Sequence, residues 1–430
     1  MPQPLSILLV AHGFPPQETA GTERHTAALA VELKARGHRV HVLAATRSPG
    51  RAQYELVESN GVTRVVNNIA TRALRDGESD PIIDSIAAKI EDRFQPDIVH
   101  VHHTQFLSST MQFSAPTVVT LHDQWAWCAS GGLGLKPAGD VCDGPSPSDC
   151  STCHSQWRPG PSASARAMTR AAAAVSGWVN PDKLHRLYKR IPARLRPSPV
   201  RGEGLTESPQ AAAHRNRMTI DWFQGAQALI APSAHLAQLA SEHGLGTVQL
   251  IRHGLAEEWF VPRPPIAADS PFVHIGTIAH HKGTDLVVRA HRRLSAPSRL
   301  ALFGPVLDPD AALGHPVGSA LSPAEVRNQL VAARALVLGS RWAENAPLII
   351  IEARAVGCPV IAPRVGGIPE LIEHGVDGLL VEPDSDAALA EAMEHVLASP
   401  PMTPSHPPPF SAQVDQIESV YQRLKQRPAV

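Results

Sequence analysis

The amino-acid sequence predicts an α/β protein made of two doubly wound domains, each a parallel sheet with helices on both faces. Short apolar runs alternate with helical patterns in two separate stretches of the chain, and such alternation is typical of parallel sheets. A segment with four prolines among eleven residues, 261–271, separates these stretches and has the composition of a stiff linker. The length of 430 residues also exceeds what one hydrophobic core usually organises.

Composition and charge exclude several classes of protein. Apolar residues make up 43% of the chain and charged residues 18%, which is typical of a globular protein rather than a disordered one. The formal net charge of −1 gives no global attraction to nucleic acid, so no nucleic-acid partner is expected. The chain has no run of 18 apolar residues, and its start, Met1-Pro-Gln-Pro4, lacks the basic region of a signal peptide. We therefore predict a cytoplasmic protein.

The first domain is expected to span residues 1–255. Residues 5–10 predict a strand, residues 23–36 a helix with Thr22 as its N-cap, and residues 39–44 a second strand, which together form a βαβ unit. From about residue 128 to 218 this pattern gives way to Pro, Ser, Gly, Arg and Ala, which indicates an insertion. Within it, residues 183–201 contain seven Lys or Arg and no acid, so contact with a membrane surface is one hypothesis and a solvated surface is the other.

The second domain is expected at residues 256–405, followed by a terminal helix, 406–430, that packs back on the first domain. Its richest segment runs from Glu344 to Ala362. Pro347 is typical of a helix start and Gly357 of a helix end, which places Glu344 in the preceding loop and Glu352 inside the helix. A helix N-terminus after a parallel strand is a phosphate-binding position, so a diphosphate is expected at residues 347–349. Glu352 could then accept hydrogen bonds from two ribose hydroxyls.

This segment carries a family resemblance. Glu344 and Glu352 are followed by Val365-Gly-Gly-Ile-Pro-Glu370 and by Gly378-Leu-Leu-Val-x-Pro383, and the whole resembles the donor domain of retaining glycosyltransferases of family 4, which have the GT-B fold. Other segments are similar to this family in the same order: residues 14–25, 36–40, 97–102, 120–123, 231–233, 252–254 and 276–283. The resemblance covers most of the chain outside the insertion.

The resemblance implies two Rossmann-like domains facing a cleft, an N-terminal one for the acceptor and a C-terminal one for the donor. It implies transfer of a sugar, with retention of configuration and without a divalent metal, from a UDP-, GDP- or ADP-sugar. The acceptor would be a glycan, a lipid-linked sugar or a small molecule, as in cell-envelope or polysaccharide synthesis. His122 and Glu344 are the implied catalytic residues, and the implied donor contacts are Gly21, Gly276, Lys282, Asn345, Pro347, Leu348, Ile349 and Glu352.

Two positions depart from the family pattern. Thr277 stands where the family usually has an arginine, so Lys282 would neutralise the diphosphate alone or with a substitute such as Arg341. Ala20 stands where the first glycine of an N-terminal pair is usual, leaving Gly21. These departures keep a catalytically silent nucleotide-binding protein open as an alternative, and a nucleotide-sugar epimerase is a third.

Four of the five cysteines are crowded into a short stretch of the insertion. Cys128, Cys142, Cys150 and Cys153 follow the spacing C-x13-C-x7-C-x2-C, and the final pair is spaced as in a zinc hairpin. We predict a structural zinc ion there, with disulfides or free thiols as the alternatives. No cofactor is expected to be needed for catalysis itself.

Overall fold

The computed structural model describes residues 3–48, 50–68, 79–129, 131–137, 139–157, 208–399, 402 and 405–426. The predicted membrane-contacting segment, 183–201, lies outside these residues. None of the described helices has both the length and the apolar character needed to cross a bilayer. The chain forms two parallel-sheet α/β domains, which confirms the predicted fold class.

Eight strands form the sheet of the N-terminal domain. They are β1 Ser6–Ala11, β2 Arg39–Thr46, β3 Leu56–Ser59, β4 Val62–Val66, β5 Ile98–Val101, β6 Thr117–Thr120, β7 Ala228–Ala231 and β8 Val248–Leu250. Their order is β3-β4-β2-β1-β5-β6-β7-β8, and only the β3-β4 hairpin is antiparallel within this described sheet. The helices of the domain are α1 Gly21–Ala35, α2 Pro81–Phe94, α3 Pro147–Trp157, α4 Pro209–Gln224 and α5 Ala234–Glu242.

Six parallel strands form the sheet of the C-terminal domain. They are β9 Phe272–Ile275, β10 Leu300–Phe303, β11 Val317–Gly318, β12 Ala335–Val337, β13 Val360–Pro363 and β14 Gly378–Val381. Their order is β11-β10-β9-β12-β13-β14. The accompanying helices are α6 Thr284–Arg292, α7 Pro323–Ala332, α8 Leu348–Ala355 and α9 Asp386–Ala398, and the chain continues to a terminal helix, α10 Phe410–Lys425.

Strand order decides where each domain can bind a ligand. The chain reverses its winding direction at β1, which lies between β2 and β5, and again at β9, which lies between β10 and β12. In doubly wound sheets the loops that leave the carboxyl ends of strands at such a reversal diverge and open a crevice. The loops after β1 and β9 are therefore the expected walls of a binding site.

The N-cap of helix α1 lies two residues before the predicted one. The carbonyl of Ala20, whose backbone is extended, accepts the N–H of Arg24 at 3.0 Å, so Ala20 is the N-cap and Thr22 is already helical. The prediction of Thr22 as the N-cap was wrong, because the conformation of the preceding loop determines where the helix begins and the capping preference of the threonine side chain does not. Leu29, Ala30 and Leu33 bury the inner face of the helix against the sheet.

Helix α10 packs on the sheet of the N-terminal domain. Val414, Ile417 and Tyr421 are buried with the apolar residues of β1 and α1. The Tyr421 hydroxyl lies 2.5 Å from Nδ1 of His100 in β5. These contacts make α10 part of the N-terminal domain. The segment 256–409 therefore leaves that domain and returns to it.

The two domains also touch through α5. The carboxylate of Glu370 accepts the backbone N–H groups of Ala234 and His235, at 2.8 and 2.7 Å, at the start of that helix. Arg252 completes the contact with an ion pair to Glu370 at 3.0 Å. A carboxylate at a helix N-terminus is favourable because it satisfies free N–H groups and complements the helix dipole. This contact fixes one edge of the cleft between the domains.

Candidate active site

A cleft with a volume of about 760 Å³ lies between the two sheets. Its walls come from the loops after β1, β5 and β6 on one side and from the loops after β9, β10 and β12 on the other. The walls include His122 from the N-terminal domain and Lys282, Glu344, Pro347 and Glu352 from the C-terminal domain. The structure thus gathers the predicted catalytic and donor-binding residues around one space.

Helix α8 points its N-terminus into this cleft. Pro347 is the N-cap and, within the described part of the chain, no side chain caps the helix. The N–H of Ile350 is bonded to the carbonyl of Pro347 at 3.0 Å, while Leu348 and Ile349 line the cleft. An uncapped helix start with its positive dipole end toward a cleft is suited to an anion such as a phosphate. Pro347 is the N-cap rather than the first helical residue, a difference of one position.

Lys282 and Glu344 meet on the C-terminal-domain side of the cleft. The ammonium of Lys282 donates to Glu344 Oε1 at 2.7 Å and lies 4.3 Å from the ring centre of Trp342. The Ser340 hydroxyl donates to the same carboxylate oxygen at 3.1 Å. Lys282 ends a short 3-10 helix, His280–Lys282, and is followed by Gly283 in the left-handed region at φ 64°. These contacts present the lysine beside the α8 N-terminus.

The loop that carries Glu344 is held from below by the glycine pair of the Val365 segment. The N–H of Gly367 donates to the carbonyl of Glu344 at 2.7 Å. A side chain at Gly366, whose φ is 56°, would collide with the backbone of residues 343 and 344. This close approach explains why glycine is needed there. Gly276, which also lines the cleft, has open space where a side chain would stand.

Glu352 lies on the second turn of α8 and is paired across the cleft. Its carboxylate accepts a hydrogen bond from Nη2 of Arg24 in α1 at 2.7 Å, and only 3% of its side chain is exposed. Burial raises the pKa of Glu352, and the Arg24 charge partly offsets that rise. The predicted ribose-binding carboxylate thus contacts the opposite domain.

His122 follows β6 on the acceptor side. Its Nε2 lies 3.0 Å from Nδ1 of His102, which follows the neighbouring strand β5. Burial lowers the pKa of His122 well below its usual value, and the adjacent histidines lower it further. The imidazole is therefore neutral at physiological pH and can exchange hydrogen bonds without carrying a charge.

Asn345 joins the two sides of the cleft. Its Nδ2 donates to the backbone carbonyl of His122 at 2.8 Å. Its side chain therefore contacts the opposite domain, whereas the adjacent Ala346 and Glu344 line the cleft. Gly21, at the start of α1, lies opposite α8: a side-chain carbon at Gly21 would stand 3.8 Å from Leu348 Cδ1.

Two histidine–carboxylate pairs line the acceptor side. The N–H of Gln105 donates to His103 Nδ1 at 2.9 Å, so the ring proton is on Nε2, which faces Asp123 Oδ2 at 3.3 Å. Burial acts to raise the pKa of Asp123, but His103 and the Trp125 N–H hold it below its usual value. His12 pairs in the same way with Glu23 at 3.0 Å. Neither His103 nor Glu23 was predicted as a site residue, although the position of His103 directly after a strand was a signal.

A group of three histidines includes His122 from the cleft lining. His25, His102 and His122 are the one set of His, Cys, Asp or Glu side chains, among the described residues, whose ligand atoms lie within 4.8 Å of one another. Burial lowers the pKa of His25 to about 4. Gln413 from α10 lies 2.9 Å from His25 Nε2 and 3.3 Å from Nδ1 of His253, so the terminal helix orders this group.

Arg341 is not among the described residues that line the cleft. Its guanidinium is bonded to both carboxylate oxygens of Asp285, at 2.7 and 3.0 Å, and to Asp384 at 2.6 Å. The suggestion that Arg341 replaces the arginine missing at Thr277 was therefore wrong, because two carboxylates already hold it away from the cleft. Thr277 itself lines the cleft and brings no charge.

The four cysteines of the insertion are thiols, and none is bridged to another in the described part of the chain. Cys150, in α3, is buried against Ala129 and against Ala212 of α4. Burial raises the pKa values of Cys142, Cys150 and Cys153, and the neighbouring cysteines raise them further. Cysteines far apart in sequence thus lie near one another, although within the described residues no three of their sulfur atoms lie within 4.8 Å of one another, and zinc binding there stays a prediction.

Solved structures similar to this chain share its architecture. Sucrose-phosphate synthase of Thermosynechococcus elongatus has a TM-score of 0.65 at 18% identity, over 97% of this chain and 99% of that one. Anabaena HepE in complex with UDP and glucose has a TM-score of 0.60 at 14% identity, again over 97% and 99%. Two doubly wound domains facing a cleft, with a helix start and a lysine on the donor side, define the GT-B class.

Family models identify the family within that class. The model described as Glycosyltransferase Family 4 matches residues 19–259, more than half of the chain, and the model described as Glycosyl transferases group 1 matches residues 270–399. The chain belongs to glycosyltransferase family 4.

Curated relatives match over shorter stretches. D-inositol 3-phosphate glycosyltransferase of Mycobacterium sp. (strain JLS) is 26% identical over 225 residues, which is 47% of this chain and 51% of that protein. Glycogen synthase of Mycobacterium tuberculosis (strain H37Rv) is 30% identical over 172 residues, 36% of this chain and 41% of that protein. The chain spans about half the length, or less, of these curated relatives.

Proposed function

We propose that the protein is a retaining glycosyltransferase that moves a sugar from a nucleoside diphosphate sugar to a hydroxyl of its acceptor, without a divalent metal. The observation that carries this proposal is the grouping of Lys282, the uncapped start of α8 and Glu352 on one side of a cleft whose other side holds His122. Cation, free N–H groups and carboxylate match the diphosphate and the ribose of such a donor.

The donor would lie along α8. The diphosphate would meet the free N–H groups at Leu348 and Ile349 and the ammonium of Lys282. Glu352, one turn further along the helix, would accept the ribose hydroxyls. Glu344 would face the sugar, since its carboxylate lies beside Lys282 at the end of the loop before the helix. The base would be uracil, adenine or guanine, and three solved neighbours that hold UDP, UDP-glucose or ADP support the first two.

The proposed chemistry breaks the bond from the anomeric carbon to the diphosphate oxygen and forms a bond to the acceptor oxygen on the same face of the sugar. The leaving phosphate oxygen takes the proton of the acceptor hydroxyl. Negative charge grows on the diphosphate as that bond breaks, and fixed donors stabilise it without reorganisation. Lys282 and the α8 N-terminus are the groups placed for this role.

His122 would contact the sugar through a neutral imidazole. Because burial keeps the ring uncharged, it can accept or donate a hydrogen bond to a sugar hydroxyl near the anomeric carbon without repelling developing positive charge there. Asp123 and Glu23 line the acceptor side as carboxylates, which accept hydrogen bonds from hydroxyl groups. The acceptor is thus a hydroxyl compound: a glycan, a lipid-linked sugar or a small molecule.

A binding screen followed by turnover tests this proposal. We expect UDP, GDP or ADP, or one of their sugars, to raise the melting temperature, because a ligand of the folded state stabilises it by mass action. Glu352→Ala should weaken binding of the identified nucleotide, and Glu344→Ala should cut sugar release while leaving that binding near the wild-type level. Exposed Lys89→Gln on α2 is the control.

Different outcomes separate the alternatives. Nucleotide binding with neither transfer over a broad acceptor panel nor donor hydrolysis would support a catalytically silent protein. Epimerised donor recovered without acceptor would support an epimerase. Wild-type turnover in both glutamate variants would overturn the assignment of the site.

A further inference from the structure

Arg24 and Glu352 form an ion pair between the two domains, inside the cleft. Nη2 of Arg24 lies 2.7 Å from Glu352 Oε1. About a third of the Arg24 side chain is exposed (34%), against 3% for Glu352. The arginine therefore retains access to the cleft, while the carboxylate depends on it as a partner.

The pair lies where two helix starts face each other. Helix α1 begins at Gly21 and helix α8 at Leu348, and a side-chain carbon at Gly21 would stand 3.8 Å from Leu348. In the described residues neither helix is capped by a side chain. Two positive helix ends therefore converge on one region, and Arg24 lies on the first turn of one of them.

The donor side of the cleft has less positive charge than a diphosphate requires. A nucleoside diphosphate carries at least two negative charges, and Lys282 is one cation. Thr277 is uncharged, and Arg341 is held by Asp285 and Asp384. Arg24 lines the same cleft as Lys282, and each of the two cations is bonded to a buried glutamate in the ligand-free protein.

We propose that Arg24 is the second cation for the donor diphosphate, and that Glu352 holds it in place until the nucleotide binds. This inference rests on the proposed function. When the ribose enters, its two hydroxyls donate to Glu352 and replace the N–H groups of Arg24. The released guanidinium, on a long side chain at the start of α1, turns to the diphosphate between the two helix starts. Binding of the nucleotide thus exchanges one hydrogen-bond partner of Glu352 for another, so that its buried carboxylate stays hydrogen-bonded.

The exchange predicts that Arg24 affects the affinity for a nucleoside diphosphate but not the affinity for a nucleoside in the same way. A nucleoside contacts Glu352 but has no phosphate, so loss of Arg24 removes nothing that it binds. A nucleoside diphosphate loses a charge-assisted hydrogen bond. In Arg24→Gln the ratio of the nucleoside Kd to the nucleoside diphosphate Kd should therefore fall about tenfold or more. In Arg24→Lys, which keeps the charge, most of the ratio should be retained.

The experiment measures both Kd values by calorimetry, with the nucleoside and diphosphate of the base that binds wild-type protein. Arg252→Gln is the matched control, since Arg252 also pairs with a glutamate across the domains but lies outside the cleft. The ratio of the nucleoside Kd to the nucleoside diphosphate Kd in Arg252→Gln should equal that of wild type. An equal loss of both affinities in Arg24→Gln would mean a structural role, and an equal gain would mean that Arg24 only blocks Glu352; either result overturns the proposal.

A second comparison keeps the test valid if Arg24→Gln alone misfolds. Arg24→Gln leaves Glu352 buried without its partner, so Arg24→Gln combined with Glu352→Gln is compared with Glu352→Gln alone. The ratio should fall by a similar factor between these two proteins, and an unchanged ratio contradicts the exchange. A wild-type protein that binds no nucleoside diphosphate would instead refute the proposed function, which distinguishes the two failures.

Discussion

The side chain of Asn345 donates a hydrogen bond to the backbone carbonyl of His122 at 2.8 Å, and so links the loop before α8 to the end of β6 in the other domain. Asn345 follows Glu344 directly in the chain. One contact thus sets the distance between the proposed sugar-facing carboxylate and the proposed sugar-facing histidine.

We predict that Asn345→Ala lowers kcat by roughly tenfold while leaving the Kd of the nucleoside diphosphate within about threefold of wild type. The lost bond is worth about 1 kcal/mol, and misplaced reacting groups are costly to the rate. Steady-state kinetics with calorimetry measure both quantities. Asn345→Asp should be worse than Asn345→Ala, because a carboxylate would face the carbonyl oxygen. Equal kcat in all three proteins would show that this contact does not position the reacting groups.

His122→Ala is expected to reduce kcat by about 100-fold or more with little change in nucleotide affinity, since a group that contacts the sugar near the reacting carbon acts mainly in the transition state. His122→Gln should recover part of the rate, because an amide can replace a neutral imidazole in hydrogen bonding. His235→Gln, a substitution of a histidine outside the cleft lining, is the control. Turnover of His122→Ala at the wild-type level would remove His122 from the proposed mechanism.

The sequence predicts the two sheets and the donor side because both follow from local patterns. Apolar runs and helix-ending glycines mark the strands and helices, and Glu344, Pro347 and Glu352 lie within one continuous segment. Even there the start of α1 was displaced by two residues, since the cap depends on a loop conformation that side-chain preference does not determine.

Contacts between distant segments could not be predicted in this way. The Arg24–Glu352 pair joins residues more than 300 positions apart, and the Asp285 carboxylate that holds Arg341 away from the cleft belongs to a different helix. Sequence alone shows a spare arginine at 341 and gives no reason to choose Arg24. The proximity of His102 to His122 could have been predicted from the sequence, because the two residues follow neighbouring parallel strands.

We expect zinc in the four-cysteine segment. Purified protein expressed with added zinc should contain about one zinc ion per chain by mass spectrometric metal analysis, as a tetrahedral thiolate site requires. Cys150→Ser should lose the metal and lower the melting temperature, because this buried cysteine packs α3 against α4. Cys358→Ser, at a buried cysteine of the other domain, should keep the zinc content. Metal-free protein after metal-replete purification would contradict the prediction.

The buried histidines predict loss of stability in mild acid. Burial lowers the pKa of His100 to about 3, whereas in the unfolded chain a histidine titrates near 6.5. Below pH 6.5 the unfolded state therefore binds a proton that the folded state excludes, and the free energy of unfolding falls as the pH falls. Each such histidine contributes a slope of about 1.4 kcal/mol per pH unit until its folded pKa is reached.

Urea denaturation at pH 7.5, 6.5, 5.5 and 5.0 measures this slope. His100→Gln, which can still bond to Tyr421 and Thr120 but does not titrate, should flatten the slope by about that amount, whereas exposed His395→Gln should not. An identical slope in wild type and His100→Gln would show that His100 is not held neutral by the fold.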